Sequence, residues 1–177
     1  MLAWLDSALS LQSLIWLFLA AFMIHDFEEI IVIESWMKRN FHQMQDAVPA
    51  VFRRKLREMG NVRADRFAFA VALEFIVFIP ATWLAAEREV YLFFAGFNVV
   101  LLIHVLTHLG QSLIVRKYTP GVVTAILVTL PYSVYLLYRM ADAEVMSMNM
   151  IVKSLPIGFL LLPLIIAGHK LAQKILP

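Results

Sequence analysis

The sequence contains no cysteine, and charged residues make up only 16% of its 177 residues. The lack of cysteine excludes disulfide bonds, thiolate metal ligands and cysteine nucleophiles. Hydrophobic residues make up 62%, against about 45–50% in soluble domains, which excludes an ordinary soluble domain. A net charge of +2 gives no indication of a nucleic-acid partner. The composition is typical of a protein whose solvent is a lipid bilayer.

Five apolar segments have about the 17–25 residues that a helix needs to cross the hydrocarbon core. None of them alternates as a transmembrane strand would, so helices are predicted. The sequence therefore predicts an all-α, polytopic integral membrane protein, with a bundle of five transmembrane helices in a single membrane domain, 1–177. The predicted spans are about 12–36, 67–87, 90–115, 121–139 and 149–172.

The long polar segment 37–66 is rich in lysine and arginine, so the positive-inside rule places it in the cytoplasm. The other connections agree with an N-terminus outside and a C-terminus inside. Within this segment VPAVFRRKLREMG predicts a short amphipathic helix from Pro49 to Gly60, bound to membrane lipids, with a solvated basic loop as an equal alternative. Further along, YTPG predicts a helix start with Thr119 as N-cap and Pro120 as the first helical residue.

Ionisable residues recur at one depth in three of the predicted spans. Glu29, Glu74 and His108 each lie eight residues from the cytoplasmic end of a span, roughly 12 Å along a helix. His25 and His104 lie one turn deeper, and each shares a helix face with the ionisable residue four positions later. The three spans therefore bring their polar side chains to matching heights.

The other polar residues of these spans differ in the direction in which they point from the helix axis. Glu28 flanks the histidine face, whereas Asp26 and Glu34 are predicted to point away from it. Gln111 continues the histidine face of the third span, and Asn98 lies deeper and off that face. We expect Gln111 and Asn98 to support the ligands rather than to bind directly.

Carboxylates buried in a membrane need a compensating charge. Each costs about 2.5–3.5 kcal/mol at a helix centre, and no lysine or arginine lies in the inner parts of these three spans. Imidazoles and carboxylates at this spacing form a donor set typical of zinc, iron or manganese. We expect a divalent metal, zinc rather than iron or manganese. A metal-free proton relay and a purely structural polar core are the alternatives. The expected ligands are His25, Glu29, His104 and His108, with Glu28 and Glu74 as further ligands or catalytic base.

The motif HDFEE at 25–29 resembles that of the HXXEE family, small bacterial membrane proteins of unknown function. The resemblance extends to Glu74, to NVVLLIHVLTHLGQ at 98–111 and to YTPGVVTAILVTLP at 118–131. The resemblance implies that the protein lies in the bacterial cytoplasmic membrane. It does not indicate which reaction the protein catalyses. The family positions that it implies are His25, Glu28 and Glu29, with Asn98, His104 and His108 beside them.

The function expected from these residues is that of a membrane metalloenzyme. A hydrolase or transferase acting on a hydrophobic or lipid-like small molecule is favoured, with its site open to the cytoplasmic leaflet. A di-iron oxidoreductase is an alternative, although HDFE reverses the Glu-x-x-His order of helical di-iron proteins. A metal-free, ion-coupled transporter is another, but no inverted repeat is evident. A protein that only assembles with a membrane partner would be expected to carry a GxxxG face, which the sequence lacks.

Overall fold

The computed structural model describes residues 3–47, 49–53, 57, 60 and 62–176. Every regular element in these ranges is helical, which confirms the predicted all-α class. Helix α1 is Ala3–Ala8, α2 is Leu11–Ala47, α3 is Ala64–Arg88 and α4 is Leu92–Val115. Helix α5 is Val122–Asp142 and α6 is Met148–Ile175.

Four helices in the described part of the chain are long and apolar enough to cross a membrane, namely α3, α4, α5 and α6. They correspond to the last four predicted spans. The first predicted span, 12–36, lies inside α2, which is not among the four. The cluster of acidic residues and histidine at 25–29 lowers the hydropathy of α2. Four helices, rather than five, therefore have the length and composition of a membrane span.

The predicted polar loop 37–66 begins as helix. Helix α2 continues through residues 37–47, and a 3₁₀ turn follows at Ala50–Phe52. Residues 54–56, 58 and 59 of the predicted amphipathic helix lie outside the described residues. Glu34 faces away from the histidines, as predicted, and its Oε2 accepts a hydrogen bond from the backbone N of Ala64 at 3.1 Å. Since the first amides of a helix have no partner within it, Glu34 fixes the start of α3 against α2.

Prolines account for the irregular turns in α5 and α6. Residues Ala125–Thr129 form a π-helical segment just before Pro131. Proline has no N–H to bond the carbonyl four residues earlier, so the preceding turn loses its regular α-helical bond. Helix α6 is interrupted at Ser154 and again at 159–160, each time within the turn that precedes a proline. These breaks divide α6 into helical pieces of 6, 4 and 15 residues.

An aromatic core joins α2, α3 and α4. The buried ring of Phe18 lies edge-on to Phe78 and to Phe94, with centroids 5.2 Å apart in each pair. Phe22, one turn along α2, lies 4.7 Å from Phe78 in the same geometry. Edge-to-face pairs are a favoured arrangement of aromatic rings. This core fixes the heights of the three helices and so aligns the polar residues that follow on α2.

Helices α4 and α6 approach closely through two glycines. A Cβ on Gly96 would lie 2.5 Å from the backbone O of Ser154, and a Cβ on Gly158 would overlap the backbone of Gly96. Small residues allow such close approach between membrane helices. The last part of α6, Leu161–Ile175, packs along α3. Helices α2, α3, α4 and α6 therefore surround a common interior.

Candidate metal centre

Four side chains from α2 and α4 converge inside the bundle. Each offers one nitrogen or oxygen ligand atom, and these atoms all lie within 4.8 Å of one another. Three of the four residues are buried and the fourth, His104, is half-buried. Each helix contributes two residues four positions apart, which share a face. The members of this four-residue group are His25, Glu29, His104 and His108, the set predicted as metal ligands.

His108 lies closest to two other members of the group. Its Nε2 is 2.8 Å from Nε2 of His104 and 3.3 Å from Oε1 of Glu29. Two imidazole nitrogens at 2.8 Å cannot both present bare lone pairs, so a proton lies between them in the metal-free protein. Zinc–nitrogen bonds of about 2.0–2.1 Å place tetrahedral ligand atoms about 3.3 Å apart. A cation could therefore take the place of this proton after small shifts of the rings.

His25 provides a buried nitrogen without a protein partner. Its side chain is 1% exposed, and Nε2 has no hydrogen-bonding partner among the described residues. Its other ring nitrogen, Nδ1, lies 3.1 Å from Oγ1 of Thr124 near the start of α5. A buried polar atom left unpaired costs about 1–3 kcal/mol unless a ligand provides the partner. Nε2 is thus the atom of His25 available to a metal ion.

Glu28 lies outside the four-residue group and is held by residues 118–124. Its Oε2 accepts hydrogen bonds from the backbone N of Thr124 at 2.7 Å and from its Oγ1 at 2.6 Å. Its Oε1 accepts a hydrogen bond from the Tyr118 hydroxyl at 2.7 Å. Burial and then the bond to Glu28 raise the pKa of Tyr118 above its ordinary value, which keeps the hydroxyl a donor. Because both oxygens are engaged, these contacts favour a supporting role for Glu28 over the predicted role of ligand or base.

The segment before α5 packs directly on the cluster through Gly121. The residue has φ +84°, in the left-handed region that favours glycine. A Cβ at this position would lie 2.6 Å from Cε1 of His108 and 2.9 Å from Cγ of Glu29. Glycine is therefore needed here both for its backbone conformation and for the space that it leaves to two members of the group.

The predicted start of α5 is wrong by two residues. Gly121 is the N-cap, and the helix begins at Val122 rather than at Pro120. The backbone N of Val122 donates to the carbonyl of Thr119 at 3.2 Å. Proline followed by glycine at positive φ is the central pair of a type II turn, and this turn takes the place of the expected helical cap. The turn directs α5 toward α2.

A cavity of about 310 Å³ adjoins the four-residue group. Residues recurring every three to four positions on α2 line one side, and α3, α4 and α6 line the others. The wall is apolar and rich in phenylalanine at one end and carries carboxyl and imidazole groups beside the cluster. No lysine or arginine lines it among the described residues. The stripe on α2 consists of Phe18, Phe22, Asp26, Glu29, Ile33, Trp36, Met37 and Met44.

Two further carboxyl groups are buried in the cavity wall. Asp26 is 5% exposed and Glu74 is 8% exposed, and Oδ2 of Asp26 has no hydrogen-bonding partner among the described residues. Glu74, predicted as a further ligand or base, lies beside the cavity but outside the four-residue group. Asp26 was expected to point away from the site, yet it lines the same cavity. Its position three residues before Glu29, on a shared helix face, is the signal that identifies it.

The two residues expected to support the ligands differ in their surroundings. Gln111 is exposed and lines the cavity. Asn98 is fully buried, and neither its Oδ1 nor its Nδ2 has a hydrogen-bonding partner in the described part of the chain. Thr124 and Tyr118 instead provide the polar support that the sequence interpretation missed. Their signal is the segment YTPGVVT, where hydroxyl groups flank a Pro-Gly turn.

Comparison with known proteins gives a family match and a distant relative. The family model described as a protein of unknown function with HXXEE motif matches residues 16–136, which include the whole four-residue group and the start of α5. The chain is similar to the uncharacterized protein YrkK of Bacillus subtilis (strain 168), with 25% identity over 170 residues. The alignment covers 90% of this chain and 96% of that protein. No solved structure gives a significant match.

Proposed function

We propose that this chain, which belongs to the HXXEE family, holds a divalent metal ion within a membrane and uses it to transform a hydrophobic substrate. The observation that carries the proposal is the convergence of three imidazoles and one carboxylate, with ligand atoms within 4.8 Å of one another. These are ligand types that zinc prefers. Glu29 offsets part of the ion's charge, and the buried carboxyl groups of Asp26 and Glu74 lie in the adjoining wall to offset the rest.

We also propose that α2 is a fifth membrane-crossing helix. On the side of α2 away from the cavity, Ile24, Phe27 and Ile31 are exposed, at the same height as the cluster. Exposed apolar side chains at that level suit contact with acyl chains. The polar residues point inward, where the bundle shields them. The basic character of 37–66 favours an N-terminus outside and a C-terminus inside, in a bacterial cytoplasmic membrane.

Hydrolysis or group transfer is the chemistry that we favour. A metal ion lowers the pKa of a bound water toward 7 and polarises a carbonyl oxygen. Glu74 lines the cavity without being part of the four-residue group, so it would serve as the general base in this chemistry. The phenylalanine-rich end of the cavity would hold the apolar part of an ester or amide. The predicted substrate is therefore a lipid-like molecule with one reactive carbonyl.

A direct test uses the protein purified in mild detergent, loaded with zinc and incubated with ester- and amide-containing lipids. Mass spectrometry is expected to detect a cleaved or transferred product without any ion gradient, and none with His104→Ala. Uptake of a solute into vesicles that contain the protein, with no product formed, would favour the alternative of an ion-coupled transporter. Two iron ions per chain would favour the di-iron oxidoreductase, with Asp26 and Glu74 as carboxylates for the second ion.

Filling the cavity is expected to weaken substrate use without removing the metal. Val71 is buried in the cavity wall, so Val71→Phe places a ring in the space proposed for the apolar chain. We expect kcat/KM to fall by roughly tenfold, since a pocket that excludes one or two methylenes loses about 1–3 kcal/mol. Ile76→Phe, on the exposed side of the same helix, is the matched control. Equal kcat/KM for the two variants would argue against this cavity as the substrate site.

Metal affinity is expected to fall as the pH is lowered, because protons compete with the ion for the imidazoles and the carboxylate of the four-residue group. The proton between Nε2 of His104 and Nε2 of His108, 2.8 Å apart, must leave that position when the ion binds, either to Nδ1 of the same ring or to solvent. Competition with a chromophoric chelator at a series of pH values measures the zinc affinity. An affinity that stayed constant from about pH 8 down to about pH 4 would contradict ligation by these imidazoles.

A further inference from the structure

Glu28, Thr124 and His25 form a hydrogen-bonded chain whose proton positions can be assigned. The Thr124 hydroxyl has one proton and three possible acceptors within reach: Oε2 of Glu28 at 2.6 Å, Nδ1 of His25 at 3.1 Å and the backbone O of Gly121 at 3.4 Å. The bond to the carboxylate is the shortest and involves a charged acceptor, so the proton lies toward Glu28. Oγ1 of Thr124 is then left as an acceptor for Nδ1 of His25 at 3.1 Å. Nδ1 must therefore carry the ring proton.

We propose that Glu28 and Thr124 are positioning residues that hold His25 in its Nδ1–H tautomer. A neutral imidazole protonated at Nδ1 carries its lone pair on Nε2. Nε2 is the nitrogen that is buried without a partner among the described residues. This inference rests on the proposed function, because it assigns the lone pair of Nε2 to the metal ion. The tautomer itself is a property of the metal-free protein.

The same contacts tie the orientation of His25 to the start of α5. The backbone N of Thr124 is one of the first amides of that helix, and it also donates to Oε2 of Glu28, at 2.7 Å. The Tyr118 hydroxyl holds the second carboxylate oxygen at 2.7 Å. Three donors therefore fix the Glu28 carboxylate between α2 and α5. Carboxylates that orient a ligating histidine in this indirect way typically change metal affinity 10–100-fold when removed.

This arrangement gives each polar residue of the motif a separate task. Glu29 lies on the face of α2 that meets α4, and its Oε1 is 3.3 Å from Nε2 of His108. Glu28, the preceding residue, is turned by about 100° toward α5. His25 lies between these two directions. Its ring is edge-on to that of His108 on α4, and its Nδ1 lies next to Oγ1 of Thr124 on α5. The first glutamate of HXXEE positions the histidine, and the second is a ligand.

The test compares Thr124→Val with Thr124→Ser. Valine keeps the shape of threonine but removes the hydroxyl, whereas serine keeps the hydroxyl. Zinc affinity, measured by competition with a chromophoric chelator, is expected to fall 10–100-fold in Thr124→Val and less than threefold in Thr124→Ser. Glu28→Gln keeps a hydrogen-bond acceptor but loses the charge. Its zinc affinity is expected to lie between those of Thr124→Val and Thr124→Ser. Equal zinc affinity in Thr124→Val and the unsubstituted protein would overturn the inference and leave the metal centre standing.

A second measurement does not depend on metal. Nitrogen-15 NMR of histidine-labelled, metal-free protein distinguishes the two neutral tautomers by the shifts of Nδ1 and Nε2. We expect His25 to be the Nδ1–H tautomer in the unsubstituted protein and in Thr124→Ser, and a mixture in Thr124→Val. An Nε2–H tautomer in the unsubstituted protein would overturn the inference even if every variant failed to fold. Absence of zinc binding in the unsubstituted protein would instead remove the proposed function, and the NMR result would still decide the tautomer.

Discussion

His108→Ala is expected to lower the zinc affinity of the purified protein by at least about 100-fold. Nε2 of His108 lies 2.8 Å from Nε2 of His104 and 3.3 Å from Oε1 of Glu29, so its removal deletes a ligand atom that lies close to two others. Competition with a chelator of known affinity measures the change. Thermal unfolding with and without zinc should give a matching result, since an ion that binds only the folded state stabilises it.

The matched control for this variant is His42→Ala. His42 lies on α2 but is exposed and outside the four-residue group. Its substitution is expected to leave zinc affinity within about twofold of that of the unsubstituted protein. This result would show that the loss of any one histidine is not enough to weaken zinc binding. If His108→Ala kept the affinity of the His42→Ala protein, any zinc bound by this chain would have to lie elsewhere.

Gly121→Ala is expected to lower the free energy of unfolding by about 2–5 kcal/mol. Alanine at positive φ costs about 1–2 kcal/mol, and overpacking of a tight interior costs about 1–3 kcal/mol more. The added Cβ would lie 2.6 Å from Cε1 of His108 and 2.9 Å from Cγ of Glu29, so either these side chains or the turn must move. Unfolding in detergent by heat or denaturant measures the loss. A fall in zinc affinity should accompany it, because both displaced side chains belong to the group.

Gly110→Ala provides the comparison, because it makes the same chemical change in a different setting. Gly110 lies within α4, and no atom would lie within 4 Å of an added Cβ. Replacing glycine by alanine in a helix interior stabilises by up to about 1 kcal/mol. The two variants should therefore change stability in opposite directions. Equal stability of Gly121→Ala and Gly110→Ala would show that the turn does not press on the cluster as the structure indicates.

Patterns local to one helix were enough to predict much of this architecture from the sequence. Length and hydropathy predicted the four apolar spans, because a bilayer imposes both on any helix that crosses it. The i, i+4 spacing and the common depth predicted that His25, Glu29, His104 and His108 would meet, because helices packed side by side keep residues of equal depth together. Both arguments need only the geometry of a straight helix.

The contacts made by α5 could not be obtained in that way. Thr124 is 99 residues from His25 and 96 from Glu28, and no periodicity links positions on different helices. The sequence at 120–121 predicts a helix start where the structure has a Pro-Gly turn, because a helix cap and a type II turn both accept this pair. Helix α2 also continues to Ala47, beyond the predicted end of its span, since a helix need not stop where the membrane does. Tertiary packing, rather than local preference, decided these features.

The burial of Asp26 has a related cause. Measured from His25 alone, Asp26 lies about 100° around α2, which predicts a side chain that points away from the site. The interior surrounded by four helices is wide enough to take a broad stripe of α2, which includes both Asp26 and Glu29. Predicting the burial of Asp26 requires the width of the buried face of α2. The direction of one histidine is not enough.

Zinc K-edge X-ray absorption of the protein purified without added metal tests the central claim most directly. We expect about one zinc ion per chain, with imidazole scattering from three histidines, one oxygen ligand and bonds of about 2.0–2.2 Å. Protein that is metal-free as purified, takes up no divalent ion and stays folded when His25, His104 and His108 are each replaced by alanine would contradict it. That result would leave the four residues as a polar contact between helices.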